Sequence, residues 1–61
     1  MRPFAITMDV HDERRPADYL RQTYVSFLEG VGIAPVLVPN ALRDPVAYVT
    51  ALGVAGVVLT G

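Results

Sequence analysis

Three runs along the chain are apolar almost without a break: Phe4-Ala5-Ile6-Thr7-Met8, Pro35-Val36-Leu37-Val38-Pro39 and Ala55-Gly56-Val57-Val58-Leu59-Thr60. None alternates cleanly between polar and apolar positions. Short continuous apolar runs of this kind read as strands of a parallel sheet covered on both faces. Pro3 favours an extended start for the first run, and prolines bound the second.

The intervening segments carry helical spacing. Leu20, Tyr24, Phe27, Leu28 and Val31 fall at offsets that make one apolar stripe. Arg14, Arg15, Asp18, Arg21, Gln22 and Glu29 occupy the other positions. Pro16 suits the first turn, because its missing N–H would find no helical partner there. Gly30 and Gly32 supply left-handed stops. A second helix is predicted from Asp44-Pro45, with Asp44 as N-cap and Pro45 at N1. Val46, Val49 and Leu52 form its buried stripe, and Gly53 ends it.

The predicted order is therefore β-α-β-α-β, with right-handed crossovers. The fold class is α/β, the opening part of a doubly wound, flavodoxin-like parallel sheet. Residues 1–61 form part of one domain. The third strand would be central in such a sheet, yet nothing in the sequence pairs with its far edge. An apolar edge at Val57, Val58 and Leu59 invites another strand. The expectation is a second polypeptide, or a continuation, that completes the sheet.

Composition sharpens this. The chain has 61 residues, 52% of them apolar, and no cysteine. A domain of this size buries only about 60% of the surface its unfolded chain exposes. Disulfides, a thiol nucleophile and a cysteine-based zinc site are excluded, and one histidine, His11, excludes a histidine-rich metal site. No cofactor is expected. The net charge of −1, with no basic run, argues against nucleic acid as a partner. No apolar run reaches the roughly 18 residues of a membrane span, and no signal-peptide core follows Met1. The expected location is the cytoplasm, with no membrane partner.

In open α/β sheets, ligands bind beyond the carboxyl ends of the strands. Three segments would lie there: Asp9 to Arg15, Asn40 to Arg43, and Thr60-Gly61. Arg14 or Arg15 could form a substrate rim, although a solvated loop explains the same mixed charges. His11 reads as a surface histidine. Asn40 could bind a ligand, but reads more simply as a turn residue. Tyr19, Tyr24 and Tyr48 read as helix residues packing with their hydroxyls at the edge. Gly61, just past a buried strand, would let backbone N–H groups approach a ligand as an oxyanion hole. The turn Asp9-Val10-His11-Asp12 has no glycines, so it is not a dinucleotide fingerprint, and no Gly-Lys-Ser/Thr phosphate loop is present. Asp9 and Asp12 resemble receiver-domain acids, but Thr60-Gly61 stands where such a domain places an aspartate.

Four stretches resemble one family. Arg2-Pro3-Phe4-Ala5-Ile6-Thr7-Met8, Tyr24 through Gly32, Ala34-Pro35-Val36-Leu37-Val38-Pro39-Asn40 and Ala55 through Gly61 are similar, in order and spacing, to the opening of class I glutamine amidotransferase-like hydrolases. The likeness is to the γ-glutamyl-γ-aminobutyrate hydrolase type, peptidase family C26. Ala5 departs from that family's common glycine, and Ala55 from its usual aspartate. The resemblance implies cleavage of a small γ-glutamyl amide by a cysteine nucleophile, a histidine base and an acid. It places all three outside the matched stretch, so none is expected in this chain. Gly61 alone carries over, at the start of the oxyanion loop. A non-catalytic binding or scaffolding subunit derived from the same fold is the alternative.

Overall fold

The computed structural model describes residues 1–12 and 14–60. The elements in chain order are β1 (Arg2–Thr7), β2 (Asp9–His11), β3 (Ala17–Tyr19), α1 (Gln22–Gly30), β4 (Ile33–Val38), α2 (Pro45–Leu52) and β5 (Gly56–Val58). Three strands form a parallel sheet in the order β4-β1-β5, while β2 and β3 make a separate antiparallel pair. The fold is a small α/β domain with β1 at the centre of its sheet.

The register follows from the apolar runs. Ala5 lies level with Val36 and Val57, and Ile6 with Leu37 and Val58. Adjacent strand residues point to opposite faces. Ala5 and Ile6 are both 0% exposed, so both faces of the sheet are covered at its centre. Two backbone bonds align the strand starts: Arg2 N–H donates to Gly32 O at 3.2 Å, and Ala55 N–H to Pro3 O at 2.7 Å.

The second helix forms as the sequence dictates. Asp44 Oδ1 accepts from Ala47 N at 3.0 Å, Pro45 opens the first turn, and Gly53 closes the helix at φ 63°. A left-handed residue here costs glycine little and other residues more. Gly32, at φ 85°, similarly turns the chain from α1 into β4.

The first helix differs from expectation. It begins at Gln22, not near Pro16, and it has no side-chain N-cap. The residues assigned to its first turns, Ala17–Tyr19, instead pair with Asp9–His11 as a hairpin. Tyr19 is therefore a strand residue. The segment read as a loop from Asp9 to Arg15 is a strand for its first three residues. One local and one distant interaction favour the hairpin. Asp12 adopts φ 72°, and its carboxylate accepts from Arg14 N at 2.9 Å, a turn that aspartate favours. Asp18 is drawn out of a helix by a distant partner, described below.

The fully buried apolar residues are Ala5, Ile6 and Leu28 among those described. The predicted stripe on α1 is only partly used: Leu28 is buried, Leu20 is half-buried, and Tyr24, Phe27 and Val31 face outward, Phe27 at 68% exposed. On α2, Val49 is half-buried while Val46 and Leu52 are exposed. A gap separates Val46 and Val49 from the sheet. On β5, Val57 and the following Leu59 are also exposed, Leu59 at 82%. The accessible surface is 4685 Å². A globular chain of this mass exposes about 3,900 Å². Uncovered apolar side chains on α1, α2 and β5 contribute to the excess.

No helix among the described residues is long and apolar enough to cross a membrane.

Candidate functional site

The chain leaves β1 on one side to form β4, then crosses to the other side to form β5. The crossing puts a topological switch point between β1 and β5. Ligands of open α/β sheets bind at the carboxyl ends of the strands flanking such a point. Thr7 ends β1 there, and Thr60 follows β5.

These two threonines are tied reciprocally. Thr60 N–H donates to Thr7 Oγ1 at 2.9 Å, and the Thr60 hydroxyl donates to Thr7 O at 2.6 Å. Both residues are half-buried. The pair holds the segment after β5 against the end of β1. Thr7→Val keeps the side-chain shape but removes one bond of the pair. We expect a loss of about 1 kcal/mol, the usual net worth of such a bond. Urea unfolding of Thr7→Val, Thr60→Val and the double variant checks this, with the double costing less than the sum of the singles.

A second polar cluster closes the other flank. Asn40 Nδ2 lies 2.9 Å from Met8 O and 2.7 Å from Asp18 Oδ1, and donates to both. Asn40 N–H donates to Asp18 Oδ2 at 3.1 Å. Asn40 stands in the turn after β4, as its residue type suggested, but its bonds reach well beyond that turn. Its side chain joins the end of β1, the end of β4 and the hairpin. Tyr48 adds a further bond from α2, its hydroxyl donating to Leu37 O at 3.2 Å.

Arg14 and Arg15 are exposed in the link between β2 and β3. His11 is exposed too and meets the Tyr19 ring edge-on, with centroids 5.8 Å apart. The two side chains share a hairpin face, because their positions are diagonal neighbours in the ladder. His11 therefore packs as a surface histidine. Gly61 lies outside the described residues. Among those described, no cluster of acids and histidine is arranged to hold a metal ion.

An apolar cleft of about 170 Å³ opens between the sheet and α2. Ala5, Thr7, Val38 and Val57 line it from the sheet, and Pro45, Val46 and Val49 from the helix.

The polar atoms of Thr7, Thr60, Asn40 and Asp18 are engaged with one another. They shape the carboxyl end and position its loops. No thiol is available in the chain to act as a nucleophile. The sequence reading missed Asp18 and Thr7. Asp18 carried no local signal, since its partner lies 22 residues away. Thr7 did carry one: a hydroxyl at the carboxyl end of an otherwise apolar strand.

No protein family matches the chain, and no curated protein or solved structure matches it.

Proposed function

We propose that this chain is the opening part of a doubly wound, flavodoxin-like domain of the class I glutamine amidotransferase-like type. In this reading it belongs to a hydrolase acting on a small γ-glutamyl amide. The observation that carries the reading is the switch point between β1 and β5, bounded by the Thr7–Thr60 pair. The strand order β4-β1-β5 supports it, because it corresponds to the first three strands of the 2-1-3-4-5 arrangement. The four family-like stretches supply the chemical assignment, and three of them include or adjoin the strands of the sheet.

The division of labour follows from the composition. A cysteine-dependent acyl transfer needs a thiolate, a base and an orienting acid. The thiolate comes from outside this chain, which has none. This chain contributes the β1 and β5 ends, the start of an oxyanion loop at Gly61, and Arg14 and Arg15 as a rim able to meet a carboxylate. A second polypeptide, or further residues of the same protein, pairs with the outer edge of β5 and covers Val57 and Leu59.

The test uses γ-glutamyl-p-nitroanilide and the assembly isolated with this chain. We expect release of p-nitroaniline by the assembly, its loss after thiol alkylation, and no release by the 61-residue chain alone. Hydrolysis that survives alkylation would overturn the mechanism. An assembly without any hydrolysis would support the non-catalytic binding subunit instead.

A further inference from the structure

The hairpin formed by β2 and β3 does not belong to the central sheet. It leaves the end of β1 through Met8 and returns to α1, so it lies beyond the carboxyl end where the switch point is. All the described residues of the hairpin are exposed or half-buried. Three paired residues on each side are too few for an isolated hairpin to persist in water. Something else must hold it.

The structure shows a holder. Both oxygens of Asp18 are engaged by one residue, Asn40, through its backbone N–H at 3.1 Å and its side-chain amide at 2.7 Å. The same amide nitrogen also bonds Met8 O, at the root of the hairpin. Bonds to an ionised carboxylate are about twice as strong as neutral ones. Asp18 lies level with Val10, at the middle of the ladder. The attachment is therefore at the middle of the short ladder.

We propose that β2–β3 is a strap latched to the body of the domain by Asp18 and Asn40, and that the latch fixes where Arg14 and Arg15 stand relative to the switch point. Asp18 and Asn40 are positioning residues in this account. The latch rests on its own hydrogen bonds. Only the role of the two arginines rests on the proposed hydrolase reading.

Backbone hydrogen exchange on the species isolated with this chain, resolved by residue, tests the latch independently of any activity. Asp18→Ala and Asn40→Ala should each speed exchange of the amides bonded within β2 and β3 by about ten-fold or more, since an opened strap is locally unfolded. Amides of β1 and β4 should keep their rates. Asp18→Asn retains one acceptor oxygen and should give a smaller rise. Unchanged exchange in β2 and β3 in both alanine variants would overturn the proposal. So would an equal rise in β1 and β4, which would make the contact part of the global fold and not a latch. Because the readout is exchange, a failed latch leaves the hydrolase test standing, and a failed hydrolase test leaves the latch standing.

Discussion

Ile6→Ala is expected to lower the stability of the chain more than any other single truncation, by about 2–5 kcal/mol. Among the described residues, Ile6 is the one large side chain with essentially no exposed surface. It sits on the central strand, between Leu37 and Val58 of the two neighbouring strands. Removing three carbons there leaves a cavity that the sheet cannot close without shifting β4 or β5. A loss of this size is a large fraction of the stability of any small domain. Arg43→Ala, at an exposed position between β4 and α2, should change stability by less than about 0.5 kcal/mol. Urea unfolding followed by far-ultraviolet circular dichroism compares the two. Equal effects would mean that the centre of the sheet is not the core.

The second large effect is expected at Gly56. A Cβ there would stand 2.6 Å from Phe4 Cε2 and 2.9 Å from Phe4 Cδ2. Phe4 and Gly56 lie level in neighbouring strands, so the ring lies across the glycine. Gly56→Val forces the ring aside or β5 away from β1. Overpacking of this kind costs about 1–3 kcal/mol. The cause is specific, so it can be relieved. In a Phe4→Ala background, Gly56→Val should cost at least 1 kcal/mol less, roughly the coupling seen between residues in contact. A cost that does not depend on residue 4 would point to the backbone of β5 instead.

The parts of this fold that were legible in the sequence are those with local causes. The three strands were evident from uninterrupted apolar runs, and Asp44, Pro45 and Gly53 marked both ends of α2. Each of those signals acts within four residues of its effect. The start of α1 was misplaced because Pro16 and the helical spacing of Leu20 suit a helix, while a hairpin wins through contacts made elsewhere. Asp18 bonds Asn40 across 22 positions, and no periodicity reports that. The candidate site was legible in the same uneven way. The expectation of a site at the carboxyl ends came from fold class. The Thr7–Thr60 tie did not, since it spans 53 positions and depends on which strand lies beside β1. Of the stripe, Tyr24 and Phe27 are helical and Val31 caps the helix, but spacing alone does not say what covers a face.

That uncovered surface is the centre of the account. Phe27, Val31, Val46, Val57 and Leu59 are all exposed, and the total surface exceeds the expectation for the chain's mass by roughly 800 Å². One partner's share of a standard protein interface is about this large. Native mass spectrometry of the material isolated under non-denaturing conditions tests the account most directly. The account predicts that this chain occurs only within a larger species, either bound to a partner or as part of a longer polypeptide. A lone, folded monomer of 6.6 kDa would contradict it.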